Sequence, residues 1–75
     1  MLPEPGFVSV EIYDLTGKKV RMLYHVFKKE GKYRLSWDGK NDDRQSVSSG
    51  IYFYKLNVLT KNGLFTQMRK LLLVR

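Results

Sequence analysis

Few side chains in this sequence have the chemistry that catalysis needs. The single histidine, His25, lies between two apolar residues, and a lone histidine in such a setting is more often a packed residue than a base. The chain has no cysteine, which excludes thiolate nucleophiles, thiolate zinc sites and disulfides. Three serines come shortly before Gly50, but they do not form a nucleophile elbow: Ser46, Ser48 and Ser49. We therefore expect no catalytic residues and no enzymatic activity.

One acidic loop has the residue types of a cation site. Residues 38–43 read Asp-Gly-Lys-Asn-Asp-Asp, and calcium requires six to eight converging oxygens. Lys40 interrupts this set and no closing glutamate follows, so turns made by Asp and Asn side chains are the favoured interpretation. The glycines form neither a phosphate loop nor a dinucleotide fingerprint. We expect no metal and no cofactor.

The charge balance suggests a polyanion as one class of partner. Fourteen Lys and Arg against seven Asp and Glu give a net charge of +7, which favours association with nucleic acid or anionic surfaces. An OB-like barrel that stacks bases on its ten aromatic rings is the alternative that this composition leaves open. The aromatics lie in segments so apolar that core packing is favoured, and we predict no nucleic-acid partner.

Membrane and export signals are missing from the sequence itself. No apolar run approaches the roughly 18 residues that span a bilayer. The start, residues 1–6, has neither a basic nor a hydrophobic signal-peptide region. We predict no membrane span, and an export address would have to lie elsewhere on a longer chain.

The elements that would position these residues are strands. Seventy-five residues are predicted to form one domain, residues 1–75. Alternation of apolar and polar residues predicts strands at 7–13 and 32–37, an apolar strand at 51–59, and a last strand at about 64–74. Residues 19–27 fit a helical stripe and a strand face equally well, and the neighbouring segments favour a strand that ends near Tyr24. Asn62-Gly63 predicts a type I′ hairpin turn, and residues 38–50 a long polar loop.

This pattern predicts an all-β fold without a secure helix. Five short strands joined by turns can bury their apolar faces as two packed sheets or as a small barrel. We expect a small antiparallel β-sandwich of about five to six strands.

Four sequence motifs, in order, resemble those of a known family. They are residues 10–20 (Val-Glu-Ile-Tyr-Asp-Leu-Thr-Gly-Lys-Lys-Val), residues 37–42 (Trp-Asp-Gly-Lys-Asn-Asp), residues 48–56 (Ser-Ser-Gly-Ile-Tyr-Phe-Tyr-Lys-Leu) and residues 69–75 (Arg-Lys-Leu-Leu-Leu-Val-Arg). This order resembles the Ig-like domain of the flagellar hook-capping protein and the C-terminal sorting domain of type IX secretion, which share the pattern. The resemblance implies an Ig-like sandwich whose structural landmarks are Gly17, Trp37, Asp38, Gly39, Gly50, Tyr52 and Tyr54.

The resemblance also implies that a strand is missing. Family members begin with an additional strand, and this chain starts at the turn that follows it. A sheet without that strand has an unpaired edge. We therefore expect completion by a strand of the parent chain or a partner, or a homodimer through the open edge.

Two protein-binding functions follow from the resemblance. The first is a sorting or anchoring module that an outer-membrane secretion system recognises. This function would place the protein outside the cell or on its surface after passage through the periplasm. Its interaction residues would be Lys70, Leu71, Leu72, Leu73, Val74 and Arg75. The alternative is a structural adaptor that holds subunits through sheet edges and loops. A nucleic-acid binder is the third hypothesis.

Overall fold

The chain forms a four-stranded antiparallel sheet. The structure is a computed structural model that describes residues 2–34 and 36–74. Its strands are β1 (Gly6–Tyr13), β2 (Lys19–Lys28), β3 (Gly50–Thr60) and β4 (Gly63–Leu73), in the spatial order β2-β1-β3-β4. The all-β prediction is confirmed, and the ambiguous segment is a strand that continues to Lys28. No helix long and apolar enough to cross a bilayer occurs in the part of the chain that the structure describes.

Alternation along β1 gives the sheet two different faces. Val8, Val10 and Ile12 point to one face and are 9%, 1% and 1% exposed. Opposite them on β3 lie Val58, Leu56 and Tyr54. We call this the covered face, because Leu2 and the segment after β2 pack on it. The other face, which bears Ser9 and Glu11, is called the open face.

The covered face is closed by an irregular segment, of which residues 29–34 and 36–49 are described. Leu2 and Gly31 form a backbone bridge, with Leu2 N–H donating to the Gly31 carbonyl at 2.7 Å. Farther along, the ring of Trp37 lies edge-on against Tyr52 with centroids 5.2 Å apart. The described part of the segment forms only isolated bridges, here and at Lys40–Ser46.

The finer prediction, a sandwich of five to six strands, is therefore not confirmed. The expected strand at 32–37 is absent among its described residues, and Leu35 lies outside them. Alternation in this segment is not sufficient for a strand, because a strand also needs a partner for its backbone groups. A single sheet, with an irregular segment on one face, is what the described residues form.

Two turns join the strands around the sheet. Asp14 N–H and the Lys18 carbonyl close the turn between β1 and β2 at 3.0 Å, and Gly17 has the positive φ of 87° that the sequence predicts there. Asp14 Oδ1 accepts hydrogen bonds from the backbone N–H of Thr16 and of Lys18 at 2.9 and 3.0 Å. The carboxylate thus satisfies two backbone donors that the tight turn leaves unpaired.

The β3–β4 hairpin differs from its prediction by one residue. Thr60 pairs with Gly63, so the two-residue loop is Lys61-Asn62, and neither of these has a positive φ. A type I′ turn needs a positive φ at both loop positions, so that prediction is wrong. The Asn62 N–H donates to Thr60 Oγ1 at 3.1 Å, and its side-chain Nδ2 donates to Glu4 Oε2 at 2.7 Å. These bonds hold Asn62 in its conformation inside the loop.

Candidate interaction surface

The open face ends in a row of exposed apolar side chains that crosses all four strands. Phe7 pairs with Phe27 on one side and with Leu59 on the other, and Leu59 pairs with Leu64. The exposed fractions of these four residues run from 43% for Phe7 to 64% for Leu64. We call them the apolar row. Contiguous exposed apolar surface of this kind marks interaction sites on soluble proteins.

Polar side chains occupy the middle of the open face. Asn57 Nδ2 donates to Ser9 Oγ at 3.4 Å, and Thr66 Oγ1 donates to Asn57 Oδ1 at 2.9 Å. One pair step farther along β1, Lys19 Nζ lies 3.2 Å from Glu11 Oε2. These cross-strand contacts pair the polar groups of neighbouring strands with one another. The side chains of this surface are therefore already ordered when a partner protein arrives.

His25 lies on the open face beside the apolar row. Its ring centroid is 5.0 Å from that of Phe7, with the planes tilted by 59°. Within residues 2–34 and 36–74, no group of three or more His, Asp or Glu side chains could hold a metal ion. The expected lack of catalysis and of a cofactor stays a prediction.

The acidic loop makes turns, as the sequence predicts. Asp38 Oδ1 accepts from the Lys40 N–H at 3.0 Å, and Asn41 Oδ1 accepts from the Asp43 N–H at 2.9 Å. Arg21 pairs with Asp38 at 3.1 Å. These oxygens are thus engaged by donors of the loop and of β2.

Asp42 ties this loop to the outer edge of β2. Its backbone N–H donates to the Val20 carbonyl at 3.1 Å, and its Oδ1 accepts from the Met22 N–H at 3.0 Å. Both strand groups point away from β1, at a place where another strand would otherwise pair. Part of the β2 edge is consequently closed by the chain's own loop.

The structural landmarks gather at the other end of the covered face. Trp37 Nε1 donates to the Lys40 carbonyl at 2.9 Å, and the Tyr52 hydroxyl donates to the Ser48 carbonyl at 2.7 Å. Tyr54 pairs with Ile12 and shares the covered face with Tyr52, as expected. Gly39 and Gly50 have positive φ values of 75° and 154°. The landmarks therefore fasten the long loop to the sheet.

The predicted interaction residues of the terminus divide between the two faces. Leu71 lies opposite Tyr52 and lines a recess of the covered face with Trp37. Leu72 and Val74, by contrast, are 66% and 76% exposed. Lys70 is also exposed, Leu73 is half-buried, and Arg75 lies outside the described residues. Their role in sorting stays a prediction.

Two ionisable groups near the β1–β2 turn have shifted pKa values. Partial desolvation and the neighbouring Glu11 carboxylate raise the pKa of Tyr13. Hydrogen bonds from Thr16, and from the Lys18 backbone, lower the pKa of Asp14. Both pKa shifts follow from the local fold, because Tyr13 ends β1 and the Asp14 carboxylate accepts hydrogen bonds within the β1–β2 turn.

Sequence reasoning missed the apolar row. Its members lie on the polar side of the alternation in β1 and at the ends of β2, β3 and β4, so no single segment signals it. The signal was available only in combination, since aligning the strands from their turns places Phe7, Phe27, Leu59 and Leu64 side by side.

Comparison with known proteins identifies one family. The sequence model of the FlgD Ig-like domain matches residues 3–63 of the chain. The matched region includes β1, β2 and β3 and ends where β4 begins. It supports the resemblance to hook-capping proteins, whereas nothing in it supports the type IX sorting domain. No curated protein and no solved structure gives a significant match.

Proposed function

This chain belongs to the FlgD Ig-like domain family, and from that premise we propose that it is a non-catalytic structural adaptor that holds protein subunits together. The family match is the observation that carries the proposal. It favours the adaptor hypothesis over the sorting hypothesis, because the matching model is that of the FlgD Ig-like domain and nothing in the match supports a sorting domain. Fold alone would not distinguish these functions.

The two faces of the sheet support an adaptor in different ways. The covered face is occupied by residues 29–49 of the described chain, so it serves stability. The open face presents the apolar row beside hydrogen-bonded polar residues. An apolar patch with a polar surround is the usual anatomy of a protein–protein interface. We expect a protein subunit to bury this row.

We further propose that the adaptor works outside the cell or at its surface. This location follows from the resemblance to hook-capping and sorting domains. The absence of cysteine is compatible with it, since a fold without thiols is indifferent to an oxidising compartment. Fractionation of cells that make the protein, with an antibody to this domain, tests the location.

Site-specific photo-crosslinking tests the adaptor function. A photoreactive phenylalanine analogue at Phe27, in the apolar row, should give discrete adducts with one or a few proteins in the native cell. Leu15 is the matched control, because it is similarly exposed (66% against 58% for Phe27) but lies in the β1–β2 turn. Equal adduct patterns at both positions, or adducts that disappear on nuclease treatment, would contradict the proposal.

The sorting function is kept as a second candidate for one reason: residues 70–74 end an exposed edge strand that a secretion system could bind. Removing residues 70–75 from a reporter fusion should then block its export. Leu72→Ser is the milder variant, because this side chain is 66% exposed and contributes little to folding. Normal export of both variants would end this hypothesis.

A further inference from the structure

The outer edge of β4 offers a row of backbone groups to another strand. Every residue from Gly63 to Lys70 is exposed, and β4 pairs only with β3 among the described strands. Because the loop has two residues, Thr60 and Gly63 form the first hydrogen-bonded pair, and such pairs then alternate along the ladder. The residues between them therefore direct N–H and C=O away from β3: Leu64, Thr66, Met68, Lys70 and Leu72.

The two edges of the sheet differ in how they are covered. On β2, Asp42 binds the outward groups of Val20 and Met22. On β4, no hydrogen bond from the described residues reaches the outward backbone groups. Natural edge strands are normally covered, shortened or interrupted, since a long open edge pairs with other chains. β4 is eleven residues long and no described residue covers its outer edge, so its charged residues, Arg69 and Lys70, are what would select against a like-charged strand.

The charges on β4 indicate which kind of strand would pair there. Residues 63–73 include Arg69 and Lys70 and no acidic residue. Neither cation forms a salt bridge with a described residue, whereas Lys19 and Arg21 on β2 are each paired with a carboxylate. The Gln67 amide, oriented with its oxygen towards Arg69, accepts from the guanidinium at 2.8 Å, which holds Arg69 in place without neutralising it.

We propose that the β4 edge is a strand-addition site for an extended, acidic segment of a partner protein. This inference rests on the adaptor function and names the chemistry of one subunit that the adaptor would hold. An acidic partner is favoured over a second copy of the chain, because two copies would each carry a net charge of +7 and repel one another. An extended backbone can satisfy the whole row of outward N–H and C=O groups at alternate residues.

The register specifies the segment further. Arg69 and Lys70 are adjacent, so their side chains lie on opposite faces of the sheet. A partner strand would therefore need two consecutive carboxylate residues opposite them, and two apolar residues opposite Leu64 and Phe65. Antiparallel addition continues the pattern of the sheet, and it gives the order acidic, acidic, three residues, apolar, apolar. Backbone bonds supply the attraction, and the carboxylates fix the register.

A peptide titration followed by NMR tests the proposal on the 75-residue chain. The probe is a capped peptide, Glu-Glu-Val-Thr-Thr-Ile-Val, and the control is the same peptide with Lys-Lys at its start. The Glu peptide should slow amide exchange at Thr66 and Met68, and its affinity should fall as salt rises. The Lys peptide should bind more weakly. Equal binding of the two peptides, or no binding of the Glu peptide at millimolar concentration, would refute the acidic segment.

Charge reversal gives a second test that spares the fold. The double variant Arg69→Glu/Lys70→Glu should no longer bind the Glu peptide and should bind the Lys peptide instead. Neutralising both cations as Arg69→Gln/Lys70→Gln should weaken the Glu peptide between about twofold and thirtyfold, as expected for two exposed ion pairs. If the Glu peptide binds both variants as it binds the original chain, these cations do not select the partner.

Proline substitutions test the use of the backbone edge. Thr66→Pro removes an outward N–H and should abolish peptide binding while the circular dichroism spectrum stays unchanged. Gln67→Pro is the matched control, because it removes a bond to β3 and should damage the fold itself. Peptide binding by a folded Thr66→Pro variant would overturn strand addition. If the outward amides of β4 exchange more slowly as the protein concentration rises, without any peptide, the strand that pairs with this edge belongs to a second copy of the chain.

The outcomes separate this inference from the adaptor function. Crosslinks from Phe27 without peptide binding at β4 would leave the adaptor function standing and remove the acidic strand. Peptide binding at β4 without specific crosslinks from Phe27 in the cell would leave the strand-addition site standing and remove the adaptor function.

Discussion

Tyr52 joins the long loop to the sheet, and its removal should cost a large part of the stability of the chain. The side chain is 7% exposed, its ring meets Trp37 at 5.2 Å, and its hydroxyl donates to the Ser48 carbonyl at 2.7 Å. Tyr52→Phe deletes only the hydrogen bond, which is worth about 0.5–1.5 kcal/mol. Tyr52→Ala also removes the ring and leaves a cavity, for a loss of about 3–5 kcal/mol.

These losses are large against the total. A chain of 75 residues is expected to have a free energy of unfolding of roughly 4–11 kcal/mol, at 0.05–0.15 kcal/mol per residue. Tyr52→Ala should therefore bring the chain close to unfolding at room temperature, whereas Tyr52→Phe should remain folded with a lower urea midpoint. Trp37 is the single tryptophan and contacts this ring, so its fluorescence reports unfolding in both variants.

A double-mutant cycle isolates the contact between the two rings. Trp37→Leu and Tyr52→Leu are measured each alone and together, with unfolding followed by circular dichroism. The cycle should give a coupling free energy of about 0.5–1.5 kcal/mol. Urea midpoints of Tyr52→Phe and Tyr52→Ala that both match the original chain would refute the role of this contact. Coupling near zero would show that the two rings do not contact in solution.

Three further predictions follow from other parts of the structure. Gly6→Ala should lose about 1–3 kcal/mol in thermal unfolding, because an added Cβ would lie 2.9 Å from the Leu59 carbonyl oxygen; an unchanged melting temperature would show that the strands separate easily. Asp14 stabilises the fold above its unfolded pKa of about 3.9, and this contribution is lost as pH falls through its lowered folded pKa. Asp14→Ala should therefore flatten the acid limb of a urea-midpoint curve, and an identical limb would contradict the turn's role. A single-stranded oligonucleotide should show no binding at about 0.15 M salt, and any binding at low salt should weaken steeply as salt rises, whereas tight binding at 0.15 M would revive the nucleic-acid hypothesis.

The sequence was sufficient to predict most of the sheet. β1 alternates cleanly, β3 is rich in β-branched and aromatic residues, and β4 follows a turn signal, so their existence and their order along the chain followed from local pattern. Gly17 was predicted to take a positive φ and does. The position of the β3–β4 loop was wrong by one residue, because the hydrogen bonds of Asn62 outweigh the preference of Asn-Gly for a type I′ turn.

The ambiguity of β2 has a structural cause. The register with β1 shifts between Val10 and Glu11, whose partners are Tyr24 and Met22, and shifts again near Val20. Each β-bulge moves the apolar side chains out of phase with strict alternation. A bulged strand therefore shows apolar residues at both two-residue and three- to four-residue spacings. Pattern alone could not distinguish it from a helix.

The segment at 32–37 shows the opposite failure. Its alternation is as clean as that of β1, yet its described residues form no strand. Trp37 still anchors the covered face, so alternation correctly identified the inward side chain. It could not show whether another strand lies close enough to pair, because that depends on how the whole chain packs. For the same reason, the open β4 edge and the apolar row became visible only with the register.

Amide hydrogen exchange of the free chain by NMR tests the central claim, that the described residues form one sheet whose β4 edge is bare for a partner. Phe65 and Gln67 donate their N–H groups to β3 and should exchange slowly, whereas the N–H groups of Thr66 and Met68 should exchange rapidly in alternation with them. Slow exchange at all four residues in dilute solution would show that a further strand already covers β4, and the account would be wrong.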